Sequence, residues 1–529
     1  MEIKVISGSE TKKIICLEQE TLLDAMKRQN IYIPAYCGGR GTCKKCRVRR
    51  REGQLPVTAA DREAFSKEQL EDGMRLSCFA RPDQDCTVEL CTEDEKDFKI
   101  LTSGDTATSD GQDRTEGPEP NEDLGIAVDI GTTTIAMELV ALNSQKVLAR
   151  DSRINHQRAF GADVISRIQA SVDGEKEALQ RSIGNDLLDG MEELLKQTGM
   201  GAERIRKMTV AANTTMCHLL MGYSCNTLGV APFTPVNIDV IREDLKSVLA
   251  PVLPNRTIPE GIELIILPGI STYVGADIVA GLLVSHFYEE EGPCMLIDLG
   301  TNGEMAIGGK SRRIATSTAA GPAFEGGNIS CGTGSVPGAI CSVSYDKGYM
   351  EWETIGNQPP SGICGTGVLD ITAELVKHDI VDETGLLDDD YFDLGVEIAR
   401  KADGEPILFT QKDVREIQLA KAAVRAGIQV LLKRYGAECD QIRTVYLAGG
   451  FGFSLDVEKA IAVGLLPEGF RGKIKIAGNS SLEGARVCLL CEDMLLKARQ
   501  LARETLEISL GNDPDFNECY MDAMYFESL

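Results

Sequence analysis

Apolar and polar positions change rhythm along the chain. Over residues 1–97 they alternate in short runs, which predicts strands at Lys4–Ile6, Lys13–Leu17 and Thr87–Leu90 and a helix around Leu22–Arg28. That is the pattern of a small, β-rich α+β unit. The stretch TSGDTATSDGQDRTEGPEPNED, Thr102–Asp123, then almost loses its large apolar residues. A segment with nothing to bury reads as a flexible acidic linker, bounded at 98–124. A coil of that length spans roughly 25 Å, so the first unit is expected to be tethered rather than fixed. From Leu124 to about Leu510 apolar strands alternate with helices, the order of an α/β architecture. The tail, 511–529, ends in FNECYMDAMYFESL; its mixed aromatics and acids predict docking on the body.

Composition narrows the class. A chain of 529 residues exceeds what one core supports, and roughly two to four domains are expected. Apolar residues at 43% and charged residues at 26% are those of a globular protein. No apolar run is long enough for a membrane-spanning helix, and MEIKVISGSE lacks an apolar signal core, so a cytoplasmic location is expected. A net charge of −26 argues against nucleic acid and anionic membrane as partners. Seventeen cysteines in a chain without a secretion signal point to metal binding or buried thiols, not a disulfide scaffold.

Three of those cysteines sit in CGGRGTCKKC, residues 37–46. Cys37, Cys43 and Cys46 are spaced C-x5-C-x2-C, and Cys78 in RLSCFARP is the next thiol able to join them. Three clustered thiolates and one distant one suit a [2Fe–2S] cluster. Gly38, Gly39 and Gly41 permit the positive φ angles of a loop wrapped closely around it. A Cys₄ zinc site is the alternative, but zinc ribbons pair one C-x2-C with another, and only one is present near this loop. Inert buried thiols are the second alternative, and the default for Cys16, Cys86 and Cys91. Arg40, Lys44 and Lys45 give the loop a basic rim where an electron donor would dock, with simple solvation as the plainer reading.

In the body, three glycine turns follow apolar strands. GIAVDIGTTTIAMELV (125–140) runs through Asp129 into Gly131, Thr132 and Thr133. CMLIDLGTNGEMAIGG (294–309) repeats the design with Asp298, Gly300, Thr301, Asn302, Gly303 and then Glu304. TVYLAGGFGFSLD (444–456) ends its strand at Gly449 and Gly450. Glycines and hydroxyls at a hairpin tip can wrap phosphate oxygens, and an aspartate beside them can hold hydrated Mg²⁺. No Walker sequence is present, and no G-x-G-x-x-G follows a strand.

The order of these turns resembles the phosphate-1, phosphate-2 and adenosine motifs of the superfamily that includes actin, Hsp70 and sugar kinases. The resemblance implies a two-lobed body of duplicated, RNase H-like lobes, lobe I at 125–288 and lobe II at 289–510, with ATP between them. The first 97 residues resemble ferredoxins of the adrenodoxin kind, which implies a β-grasp head. TLLDAMKRQNIYIPAYC and RLSCFARP carry that likeness beside the thiol spacing. AANTTMCHLLMG (211–222), LGVAPFTP (228–235), PGISTYVGADIVAGLL (268–283), TSTAAGPAFEGGNISCGTGS (316–335) and SGICGTGVLDITAELV (361–376) are similar to the corrinoid-activating proteins. Some of that family carry a further domain between cluster and ATPase, for which the short linker leaves no room.

The family resemblance implies an activity in which one electron of very low potential passes to Co(II) of a methyltransferase's corrinoid protein, restoring Co(I) with ATP hydrolysis. It also implies a low-potential electron donor; a homodimer stays open. By position, Cys37, Cys43, Cys46 and Cys78 would hold the cluster. Gly131, Thr132 and Thr133 would meet phosphates from one lobe, and Gly300, Thr301, Asn302 and Gly303 from the other. Asp129 and Asp298 would bind hydrated Mg²⁺ and orient water, with Glu304 as a general base. Gly449 and Gly450 would pack flat on adenosine, and Gly321 would line the cleft. The rival readings are an actin-like small-molecule kinase with a redox-sensing head and a non-enzymatic module with a structural cluster. An activator of radical dehydratases fits less well, because that family bridges two subunits with a [4Fe–4S] cluster.

Overall fold

A computed structural model describes residues 1–91 and 122–526, apart from 9, 30, 36, 347, 348, 453 and 454. The linker expected at 98–124 lies outside the described residues except for its last three. Of these, Glu122 and Asp123 already belong to the body. The Glu122 carboxylate accepts the Asn143 amide at 2.9 Å, and Asp123 pairs with Arg206 at 2.9 Å.

The head is a five-stranded sheet in the order β2–β1–β5–β3–β4. Its strands are β1 (Glu2–Ser7), β2 (Glu10–Ile15), β3 (Arg47–Glu52), β4 (Met74–Leu76) and β5 (Cys86–Leu90). β1 and β5 run parallel, as a β-grasp fold requires. Alternation in EIKVIS puts Ile3 and Val5 inside. The helix Leu22–Arg28 is capped by Thr21, whose hydroxyl accepts the Asp24 amide at 3.1 Å, and it buries Leu22, Leu23, Ala25 and Met26. β3, RVRRRE, is a strand the apolar pattern does not announce. Only Val48 is buried in it, opposite Leu90 of β5.

The body repeats one design twice. β6 (Leu124–Ile130), β7 (Thr134–Ala141) and β8 (Val147–Ile154) form an antiparallel meander, and β9 (Ile205–Ala212) returns parallel to β6. β10 (Ile241–Asp244) and β11 (Glu263–Ile266) complete the first six-stranded sheet. In the second half β12 (Cys294–Leu299), β13 (Gly303–Gly308) and β14 (Arg313–Thr318) form the same meander. Beside it lie a small sheet of β15 (Ala339–Asp346), β16 (Tyr349–Thr354) and β17 (Gly362–Ile363) and a hairpin of β18 (Val396–Arg400) and β19 (Pro406–Phe409). β20 (Val445–Ala448) returns parallel to β12, and β21 (Ile474–Gly478) and β22 (Thr505–Glu507) form the edges.

Two helices, Ala276–Val284 and Ser480–Leu490, fill the layer between the sheets. Small residues allow the close fit: Ala127, Ala136 and Ala211 face this layer from the first sheet, and Ala306, Ala315 and Ala448 from the second. A Cβ on Gly484 would sit 2.5 Å from Ala280 Cβ. The helix Ser480–Leu490 comes from the second half of the chain yet packs on β6 and β9 of the first. The tail docks as its composition predicts. Arg434 grips Asp513 at 2.7 Å, and Phe526 is buried beneath Lys421.

The head rests on lobe I. Lys27 Nζ lies 4.7 Å from the centroid of the Phe160 ring, and the Tyr32 ring meets His156 edge-on at 4.8 Å. Gly38 of the cysteine loop, at φ +65°, comes so close that a Cβ would lie 2.9 Å from the Phe160 carbonyl oxygen. His156 is itself fixed by Asp186, which accepts both its ring Nδ1–H and its backbone amide. The head, expected to be tethered rather than fixed, is thus seated on lobe I. Phe160→Ala removes the ring under Lys27, a contact worth about 1 kcal/mol. It should raise hydrogen–deuterium exchange of the 37–46 loop while leaving the core strands of the head protected. Unchanged exchange in that loop would contradict this seat.

Candidate functional site

The four thiols meet at the lobe I side of the head as two pairs. Cys43 hydrogen-bonds to Cys37, and Cys46 Sγ lies 3.2 Å from Cys78 Sγ. The hydrogen bond from Cys43 pulls the Cys37 thiol down to about 4, against its burial, and pushes Cys43 up. In the second pair Cys46 falls to about 7 through its bond with Cys78, and Cys78 rises. Among the described residues no three His, Cys, Asp or Glu side chains stand at the spacing of a single ion. Two pairs of sulfurs fit a two-metal centre, with two thiolates per metal, better than one tetrahedral zinc. The loop glycines are tight: a Cβ on Gly41 would strike the Phe79 ring at 2.2 Å, and one on Gly39 would press on Leu23. Cys16 and Cys86 lie buried in the head's core, and Cys91 packs at its edge against Met74.

Between the lobes lies a cavity of about 450 Å³. Gly131, Thr132 and Thr133 enter it from the β6–β7 tip, and Gly300, Thr301 and Asn302 from the β12–β13 tip. The first turn closes on itself through Gly131 N–H to Thr134 O at 2.8 Å, the second through Gly300 N–H to Asn302 O at 3.1 Å. Gly303 and Gly321 do not line the cavity. Gly303 opens β13 against Val424 and Thr318, and Gly321 supports the turn from behind, its N–H donating to Thr301 O at 3.0 Å. Thr133 Oγ1 and Thr301 Oγ1 both donate to Glu325 Oε2, at 2.8 and 3.1 Å.

Deeper in the cleft four carboxylates converge: Asp129 on β6, Asp277 in the first turn of Ala276–Val284, Asp298 on β12 and Glu304 on β13. Asp298 and Glu304 are direct cross-strand partners, a like-charged pairing that destabilises a sheet unless something neutralises it. Burial dominates all four. It raises Asp277 to about 7 and Asp298 to about 8, with neighbouring acids adding to it, and lifts Glu304 well above the carboxylate range. Asp129 is raised by burial but receives Ser481 Oγ at 2.7 Å and Asn479 Nδ2 at 2.9 Å. Glu304 Oε1 is buried without a hydrogen-bond partner among the described residues. No three of these carboxylates stand at the spacing of direct ligands to one ion, so a divalent cation here would be held through its water shell.

The far wall carries two aromatic rings and the strand-end glycines. Phe324 and Phe451 stack at 4.7 Å and 20°. Gly450 faces open space, whereas Gly449, at φ +87°, is constrained on its other side: a Cβ there would lie 2.5 Å from Asp298 Oδ1. The close approach at Gly449 is therefore to the acidic cluster and β12. The helix Gly365–Lys377 begins at the same cavity without a side-chain cap, presenting free N–H groups to an anion. Cys364 there donates to Ile340 O at 3.2 Å, a packing role.

Several of these residues carry little signal in the sequence. Asp277 follows Gly275 at a helix start, an acid-after-glycine pattern within PGISTYVGADIVAGLL. Glu325 lies in AAGPAFEG, where Gly321 is the more conspicuous residue. Asn479 reads as a helix cap and is one, accepting the Leu482 amide at 2.8 Å. Arg167 gives no signal as a lone arginine in VISRIQA. It is fully buried, donates to Thr132 O and, at 2.9 Å, to Gly161 O, and burial pulls it down to about 9.

Comparison with known proteins matches three stretches in order. Residues 5–83 match a 2Fe-2S iron-sulfur cluster binding domain, 124–290 the RACo middle region, and 292–528 the C-terminal domain of RACo, the ASKHA domain. The corrinoid activation enzyme RamQ of Eubacterium limosum is 28% identical over 96% of both chains. The reductase of a Co(II) methylated amine-specific corrinoid protein from Methanosarcina barkeri is 26% identical over 75% of this chain and 76% of its own. A solved structure titled as a reductive activator for corrinoid, iron-sulfur protein superposes with a TM-score of 0.70, at 27% identity over 99% of this chain and 98% of that one. A ferredoxin-like head and a two-lobed ASKHA body are therefore the fold.

The acidic cluster sets a pH dependence. Asp298 keeps its proton up to about 8 in the folded chain, whereas an unfolded aspartyl group releases it near 4. The folded state then binds more protons across that interval, and stability falls as pH rises through it. Asp277, Asp129 and Glu304 face the same group and act in the same direction. Without divalent cations, Asp298→Asn should flatten the fall in Tm between about pH 5 and 8. A slope equal to the parent's would contradict the burial of this charge.

Proposed function

The chain belongs to the reductive activators of corrinoid proteins, and on that premise we propose that it delivers one electron to Co(II) of a partner corrinoid protein, restoring Co(I), in a cycle coupled to ATP hydrolysis. The observation that carries the reading is that the two halves of such a cycle share one body. The four thiols of the head sit at its contact with lobe I, and the two-turn cleft with its acidic floor opens between that lobe and lobe II.

Cys37, Cys43, Cys46 and Cys78 would hold a [2Fe–2S] centre, which supplies a one-electron carrier with a potential near about −400 mV in plant-type proteins. Lys27, close enough to Cys37 and Cys46 to feel their charge, places a half-buried ammonium near them. Asp129, Asp277, Asp298 and Glu304 would share hydrated Mg²⁺. Thr133 and Thr301 would turn their hydroxyls to phosphate oxygens, joined by the backbone N–H groups of their turns. Gly450, with open space on its Cβ side, would leave room for the base beside Phe451. Reducing Co(II) is uphill for such a donor, so the nucleotide contributes only as far as it binds two conformations unequally. An electron donor of low potential, met at the basic rim of Arg40, Lys44 and Lys45, and a cytoplasmic setting complete the proposal. Among the described residues no helix is long and apolar enough to cross a membrane.

The test uses an isolated Co(II) corrinoid protein of a methyltransferase system and visible spectroscopy. The reduced chain should produce the Co(I) band only with MgATP. Cys43→Ser should abolish that band and leave ATP affinity unchanged, since Cys43 is not among the described residues that line the cleft. Co(I) formed equally well without ATP would sink the reading, and loss of ATP binding in the variant would show that the two sites are not separable.

A further inference from the structure

Glu325 occupies a place that the proposed cycle leaves without a role. It ends the short helical turn Pro322–Glu325, and the chain around it is held firmly. Gly326 N–H donates to Ala323 O at 3.0 Å and Gly327 N–H to Pro322 O at 2.8 Å. Gly326 sits at φ +75°, where a Cβ would lie 2.1 Å from Thr333 O. The carboxylate is thereby presented between the tips of the two phosphate turns. A single oxygen, Oε2, accepts Thr133 Oγ1 from lobe I at 2.8 Å and Thr301 Oγ1 from lobe II at 3.1 Å. No other carboxylate lining the cleft accepts a hydroxyl from either turn among the hydrogen bonds of the described residues.

Each threonine hydroxyl has one proton to donate. When those hydroxyls turn to an anion in the cleft, Glu325 loses both donors and keeps its position. A phosphate oxygen held by either hydroxyl at about 2.7 Å then lies within about 5–6 Å of Glu325 Oε2, the span of one bridging water. Asp129 is differently committed, with its two oxygens taken by Ser481 and Asn479. Asp298 and Glu304 face each other across β12 and β13 in the cleft floor. Those acids suit a cation, and Glu325 is left facing the tips of the two turns.

We propose that Glu325 is the catalytic base of this cleft, the group that orients the attacking water and takes its proton; this rests on the reading that the cleft hydrolyses ATP. In the step, the water oxygen bonds to the γ-phosphorus. The bond from that phosphorus to the β,γ-bridging oxygen breaks, and its electron pair leaves with ADP. The water proton passes to the Glu325 carboxylate and from there to inorganic phosphate.

Glu325→Gln keeps the size and the hydrogen-bonding reach of the side chain but cannot take a proton. Phosphate release from MgATP should fall by about 100-fold or more, while affinity for a non-hydrolysable ATP analogue is unchanged. Glu325→Asp, with a retracted carboxylate, should recover part of the rate. Turnover of Glu325→Gln close to the parent's would overturn the assignment. So would loss of analogue binding in Glu325→Gln, which would make the residue a latch between the turns. A parent chain that binds the analogue yet releases no phosphate, alone or with a Co(II) corrinoid protein, would instead refute the hydrolytic reading of the cleft, and the assignment with it.

Discussion

Four buried carboxylates at the floor of the cleft are the constraint around which the body is arranged. Asp129, Asp277, Asp298 and Glu304 arrive on three strands and one helix, and burial alone pushes each toward its neutral form. Nothing in the sheets requires acids there. Asp298 and Glu304 could not face each other across β12 and β13 at low cost unless protons or a cation joined them. The alanine and glycine layer between the lobes is what brings them so close. Ala280 against Gly484 lets the helices Ala276–Val284 and Ser480–Leu490 lie together, carrying Asp277 from one side and Asn479 and Ser481 from the other.

A second chain of contacts runs from the cleft to the thiols. Asn155 donates its side-chain amide to Gly131 O at 2.8 Å and its backbone N–H to Thr133 O at 2.9 Å. Arg167 holds Thr132 O from the other side. The residues directly after Asn155 are those on which the head sits: His156 against Tyr32, and Phe160 beneath Lys27 and beside Gly38. One short segment therefore touches both a phosphate turn and the cysteine loop. A nucleotide that favours one position of the turn biases the seat of the head to the extent of that preference.

The features legible in the sequence are those that are local in it. Asp129-x-Gly131-Thr132 and Asp298-x-Gly300-Thr301 each bring the acid, the turn and the hydroxyl within four residues, and the meanders around them follow from apolar runs. The C-x5-C-x2-C loop is local in the same way. What the sequence hides is what tertiary structure assembles. Asn479 and Ser481 reach Asp129 from 350 and 352 residues away. Glu325 acquires its place only when two lobes close on it. β3 hides behind its arginines, because only one of its residues is buried. The seat of the head at Phe160 depends on an aromatic ring and a glycine too far apart in sequence to suggest each other. Gly449 in its strand-end turn suggests adenosine as its neighbour, whereas the side chain it lacks is excluded by Asp298.

The central claim is that the electron leaves the thiol-held centre of this chain for cobalt only when the cleft turns over nucleotide. A single-turnover experiment addresses it directly. The chain is reduced, free reductant is removed, and the Co(II) corrinoid protein is added while electron paramagnetic resonance follows both the reduced iron–sulfur signal and the Co(II) signal. The account predicts that the two signals vanish together, one for one, with MgATP, and persist without nucleotide or with a non-hydrolysable analogue. Loss of the Co(II) signal while the iron–sulfur signal stays intact, or at the same rate without nucleotide, would contradict it.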